Sequence, residues 1–184
     1  MPTLADNQTQ VNQPNYAFAK KCADEVLHDN LVTSPPVNVF AIVRNYGLDI
    51  AYASFPEYED VAGFINLEDR QIVVNDFDSP TRQKFTIAHE LGHWIMHRSI
   101  LETNPNQGIL LRLPLGRPDP DPREKEANSF AANLLVPDQL LLPDLKSGQR
   151  LNDLAGGEKL LATVFGVSSD VVAFRLRQLG SYSS

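Results

Sequence analysis

The chain has 184 residues, 42% of them hydrophobic, enough for one domain with its own core. Sixteen Lys plus Arg against 23 Asp plus Glu leave a net charge of −7, which repels phosphate backbones and argues against nucleic acid as the main partner. The single cysteine, Cys22, excludes an internal disulfide. The opening MPTLADNQTQVNQPN has neither the basic start nor the apolar run of a secretion signal, and the greasiest stretch, LLVPDQLLLPDL, is broken by two prolines and two aspartates; a cytoplasmic protein without membrane insertion is expected.

Residues 1–15 are polar and read as a flexible tail. NYAFAKKCADEVLHD follows with Tyr16, Ala19, Ala23, Val26 and Leu27 at helical spacing, Cys22 beside that stripe and His28 near the helix C-terminus, where it suits the dipole. SPPVNVFAIVRNYG reads as a helix that starts after Ser34-Pro35 and ends at Gly47. From Leu48 the pattern turns to strand. LDIAYASF, VAGFINL and RQIVVND, the last two joined at Glu68-Asp69, suggest a small antiparallel sheet with a hairpin. That hairpin is expected to offer an edge to an extended substrate, with Val73 and Asn75 as outward-facing positions. Ser79 and Pro80 start the next helix. The stretch from Ser99 to Pro122, with prolines at 105, 114, 118, 120 and 122, is long for a connector and reads as a lid or binding segment. REKEANSFAANLLV is helix again, stopped near Pro137; the remainder reads as helix, turn at Gly166, and a last helix capped by Ser168.

The helix after Ser79 carries FTIAHELGHWIMH, with three of the four histidines at intervals of four. At about 100° per residue, His89 and His93 lie about 40° apart on one face, one turn up, where two imidazoles reach a single ion. Glu90 points to a neighbouring face, the place of a general base acting on water beside that ion. Gly92 lets another segment approach closely. His97 rises about 12 Å above His89, too far to share an ion with bonds near 2 Å, and is expected to hydrogen-bond a neighbouring group. The metzincin pattern is also broken, because Met96 and Ser99 stand where it needs glycine and histidine.

A third ligand is sought among the glutamates of REKEANSFAANLL. With Glu124 at zero, Ala127, Phe130, Ala131, Leu134 and Leu135 fall in an arc from about 240° through 300° to about 20°; Glu124 lies inside it and Glu126 outside, at about 200°. A carboxylate on a core-facing stripe requires a partner, and a metal would be one. Asn128, one turn on, is placed to orient a ligand. Asp121-Pro122-Arg123-Glu124 also resembles a capping box, in which Glu124 would close its own helix; capping leaves the core-facing arc unexplained, so the metal reading is preferred.

These motifs, in this order, resemble the ImmA/IrrE family of metallo-endopeptidases: RQKFTIAHELGHWIMH, EKEANSFAANLLVP, the hairpin GFINLEDRQIVVN and the ending ATVFGVSSDVVAFRLRQLG, together spanning about Cys22 to Gly180. The resemblance implies an α+β, zincin-like fold, with a small antiparallel sheet packed on the HExxH helix and a C-terminal segment resembling a helix-turn-helix. It implies zinc on His89, His93 and Glu124, with Glu90 as catalytic acid/base, and a protein substrate: a helix-turn-helix repressor whose cleavage switches on stress, phage or mobile-element genes. Manganese or cobalt suits the same ligands. The expected division is a tail at 1–15, a peptidase domain at 16–146 and a helical segment at 147–184. Some relatives carry a DNA-binding domain before the peptidase, and the polar N-terminal stretch here is too short for one.

His97, Tyr58 and Arg175 are the candidates for stabilising an oxyanion. The C-terminal segment itself has four basic and three acidic residues, Arg150, Lys159, Arg175 and Arg177 against Asp153, Glu158 and Asp170, and is taken as a packing or substrate-docking element in preference to a DNA reader. The competing reading is a regulatory module whose metal controls binding to a repressor or DNA without proteolysis; Glu90 argues against it, since a purely structural site needs no base.

Overall fold

A computed structural model describes residues 13–56, 61–103, 121–147 and 154–182. Among these residues the order is α1 (Tyr16–Asp29), α2 (Val39–Asn45), β1 (Asp49–Ala53), β2 (Gly63–Asn66), β3 (Gln71–Asn75), α3 (Pro80–Met96), α4 (Arg98–Thr103), α5 (Pro122–Leu135), α6 (Asp138–Ser147), α7 (Leu154–Phe165) and α8 (Ser169–Tyr182). The class is α+β, as the sequence indicates.

Helix α1 buries Ala19, Cys22, Ala23, Val26 and Leu27, and Asn15 caps it by accepting from the Phe18 N–H. Tyr16, at the same spacing, stays in solvent because the stripe meets the core one turn further on. Helix α2 starts later than expected, at Val39, capped by the Asn38 side chain. Ser79 caps α3 and Pro80 occupies its first turn. All ten residues from Phe85 to Trp94 are buried, so α3 is covered on every side: by the sheet, by α1 and α2, and most extensively by α5. The core is continuous, running from α1 through β3, α3 and α5 to Leu161, Phe165, Val171 and Val172 of α7 and α8.

The sheet corrects the expectation of antiparallel pairing throughout. Strands β2 and β3 form the antiparallel hairpin, with Phe64 opposite Val73, but β1 runs parallel to β3 with Ile50 opposite Ile72, giving the order β1-β3-β2. Val73 and Asn75, expected at an outward edge, therefore lie on the central strand and are buried. The hairpin's outer strand is β2. The physical reason is legible in Ile72-Val73-Val74: an unbroken apolar run belongs to a strand covered on both faces, whereas an edge strand alternates. Arg70, in the left-handed region at φ 52° in the hairpin turn, fastens the hairpin to the end of α2 by donating to the Gly47 and Tyr46 carbonyls. Its guanidinium also faces the Trp94 ring of α3, which Arg98 covers at 4.1 Å.

Two helices were not foreseen. Helix α4 begins at Arg98 and runs to Thr103, into the segment read as a loop from Ser99; residues 104–120 of that segment lie outside the described residues, as does Tyr58. Helix α6 follows Pro137 directly, with Asp138 in its first turn, so the proline marks the start of a helix as well as the end of α5. The turn at Gly166 (φ 61°) and the Ser168 contact to the Val171 N–H stand where the sequence places them. No helix among the described residues is long and apolar enough to cross a membrane.

Candidate metal centre

The α-helical repeat sets His89 and His93 one turn apart on α3, with ring centroids 4.7 Å apart and planes at 72°. Their Nε2 atoms face each other at 2.9 Å. Helix α5 brings Glu124 to the same point: one carboxylate oxygen lies 3.1 Å from His89 Nε2 and the other 3.0 Å from His93 Nε2. All three side chains are buried, and their potential ligand atoms lie within 4.8 Å of one another.

That approach depends on small residues. A Cβ on Gly92 would stand 2.9 Å from Phe130 Cδ1, so glycine is what lets α5 reach α3, while Ala127 and Ala131 are fully buried on the facing helix. Asp121 caps α5 through the Arg123 N–H at 2.9 Å. The cap and the glutamate that faces His89 and His93 are thus separate residues at the same end of the helix.

Electrostatics agree with the geometry. Burial pushes the Glu124 carboxyl up, but the hydrogen bonds and charge of His89 and His93 outweigh it and hold the group well below the usual carboxylate range. Burial is also the largest influence on His97; with the neighbouring His93 it keeps that imidazole toward its neutral form against the pull of Glu126. Asn128 Oδ1 lies 3.0 Å from His89 Nδ1; since the amide oxygen only accepts, His89 donates from Nδ1, and in the neutral form that a metal ligand requires its Nε2 lone pair points into the cluster.

Two imidazoles and a carboxylate suit a divalent cation. A tetrahedral ion with bonds near 2.1 Å separates its ligand atoms by about 3.4 Å, so the observed separations of 2.9–3.1 Å need to open by only a few tenths of an ångström. Glu90, 1% exposed, occupies the next position on α3 and does not belong to the group of three.

Of the other candidates, His97 is 3% exposed and joins His93, Nδ1 to Nδ1, at 3.0 Å. Its Nε2 lies 2.8 Å from Glu126. With both ring nitrogens engaged, it does not offer a donor to an oxyanion. Arg175 is fully buried at the far end of α5, donating to the Val136 carbonyl and pairing with Asp138 and Gln178. Twelve residues of helix, about 18 Å, separate Val136 from Glu124, so Arg175 is neither near the cluster nor displayed to a nucleic acid. Glu126 was missed as a functional neighbour. Its place outside the core arc suggested solvent, but α3 extends one turn past His93 and covers it with His97.

Residues 43–177 match the family model described as the IrrE N-terminal-like domain, Peptidase_M78, and the chain belongs to that family. It is similar to the protein named Metallopeptidase ImmA of Bacillus subtilis (strain 168), with 29% identity over 115 residues, 62% of this chain and 60% of that one. Among solved structures it resembles a Mycobacterium tuberculosis transcriptional regulator at a TM-score of 0.60 and 16% identity, covering 87% of this chain and 46% of that one; at this identity the likeness speaks to the fold. The chain thus spans less than two thirds of the length of each.

Proposed function

We propose that this protein is a zinc-dependent endopeptidase acting in the cytoplasm, with His89, His93 and Glu124 as metal ligands and Glu90 as catalytic acid/base. The observation that carries the proposal is the convergence of three buried ligand groups from α3 and α5, with Glu90 beside them on α3, in a chain of the Peptidase_M78 family. Bound there, a divalent cation would lower the pKa of water toward 7 and polarise a peptide carbonyl. The protein's own work is then positional and protonic. Asn128 holds the His89 ring, Glu90 takes the proton released from water, and the same carboxyl returns it to the leaving amine. Manganese or cobalt fits the same donor set.

The favoured substrate is a helix-turn-helix repressor, cut at one site to release stress, phage or mobile-element genes. The similarity to a protein named a metallopeptidase supports the activity; the repressor rests on the family resemblance of the motifs. Residues 147–184 are assigned to packing or substrate docking, since burial of Arg175 removes one of that segment's few cations from its surface.

The deciding experiment uses Glu90→Gln. The purified parent should hold one divalent ion by elemental analysis and cleave a repressor encoded beside its gene. Glu90→Gln keeps shape and ligands, so metal content and repressor binding should persist while turnover falls by at least about 10²-fold, the usual contribution of a general base. Turnover close to the parent's would remove Glu90 from the mechanism. Loss of metal together with activity would make Glu90 structural, and a folded parent without metal would defeat the site assignment.

A further inference from the structure

Behind His93 runs a chain of contacts that ends on backbone. His93 Nδ1 meets His97 Nδ1 at 3.0 Å, His97 Nε2 meets one Glu126 oxygen at 2.8 Å, and the other Glu126 oxygen accepts the Asn15 N–H at 2.6 Å. Three elements contribute: α3, α5 and the cap of α1.

We propose that His97 and Glu126 are positioning residues that fix the proton of His93 on Nδ1 and so leave its Nε2 lone pair facing Glu124 and His89. Donor and acceptor rules set the direction. An ionised carboxylate only accepts, so His97 donates from Nε2 to Glu126. A neutral imidazole with its proton on Nε2 has a lone pair on Nδ1, and that lone pair accepts from His93 Nδ1–H. His93 then has no proton to place on Nε2 unless it becomes charged. Asn128 performs the same task for His89 in one step; His93 needs two because a second imidazole separates it from the carboxylate. In its consequence for metal binding the inference rests on the proposed ligand role of His93, while the proton order is a property of the protein alone.

The Asn15 N–H makes the relay testable by a single atom. In Glu126→Gln the amide oxygen must face Asn15, which can only donate, and the amide NH₂ is then left facing His97 Nε2. His97 must accept there, carry its proton on Nδ1 and donate to His93 Nδ1, which drives the His93 proton to Nε2 and blocks the lone pair. Zinc affinity, measured by competition with a chelator on the full chain, should fall about 10- to 100-fold. Glu25→Gln removes the same charge from the exposed face of α1 and should leave it unchanged. Ring ¹⁵N shifts of the parent, with and without zinc, should show a proton on Nδ1 of His93 and on Nε2 of His97. A proton on Nδ1 of His97, or parental zinc affinity in folded Glu126→Gln, would overturn the relay. Should that variant not fold, the parent's ring nitrogens decide by themselves. A parent that binds no zinc yet shows this proton order would sink the ligand assignment and leave the relay standing.

Discussion

Gly92 is the residue on which the distance between α3 and α5 depends. A methyl group there would lie 2.9 Å from Cδ1 and 3.2 Å from Cγ of Phe130, a ring with no exposed surface into which to move. Gly92→Ala gains about 1 kcal/mol of helix propensity and loses about 1–3 kcal/mol to overpacking. The net expectation is a loss of roughly 1 kcal/mol in urea unfolding. Glu124 rides on α5, so zinc affinity should fall as well. Greater stability with unchanged affinity would show that the contact yields without moving the carboxylate.

At the scale of elements, the start of α5 is held by charge. Burial pushes the Asp121 carboxyl up, but the hydrogen bonds from the Arg123 guanidinium and backbone outweigh it and hold the group below its ordinary value of 3.8. A carboxyl depressed in the folded state stabilises above its unfolded value, and that contribution fades as pH falls through the folded one. Metal-free parent should therefore have a higher urea midpoint than metal-free Asp121→Asn near pH 6, with the gap closing below about pH 3.8. Equal midpoints near pH 6 would mean that Asp121 acts as a neutral cap, a role asparagine fills equally well.

For the whole molecule, Arg175 joins α8 to the end of α5. Its guanidinium reaches the Val136 carbonyl and Asp138, which also pairs with Lys20 of α1 at 3.1 Å. Lys84 of α3 adds a second tie, donating to the Phe165 carbonyl at the end of α7. Arg175→Met takes the donor from the buried Val136 carbonyl while Asp138 keeps Lys20, so a loss of about 1–3 kcal/mol is expected as a lower urea midpoint. The continuous core makes a further demand: far-ultraviolet dichroism, which reads every helix, should lose signal together with the fluorescence of Trp94, the chain's only tryptophan. A dichroism loss that precedes the fluorescence change would show that helices away from Trp94 unfold separately from the core around it.

What the sequence determined alone was whatever one helix or one turn decides. The four-residue interval of His89 and His93, the Ser79 cap, the Gly166 turn and the core-facing phase of Glu124 follow from a 3.6-residue repeat and local backbone rules, and each stands in the structure where that repeat puts it. Tertiary structure decided what depends on a second element. The parallel pairing of β1 with β3 joins strands that local pattern cannot order, so Val73 and Asn75 became central positions. Arg175 lies on a helix whose polar residues look solvent-facing until α5 and α6 close over it. Glu126, outside its own helix's core arc, is partnered by His97 of α3. The phase of one helix tells which side is apolar; only the packing of another shows which polar side chains that helix will cover, and it covers them here because Gly92 leaves room for α5.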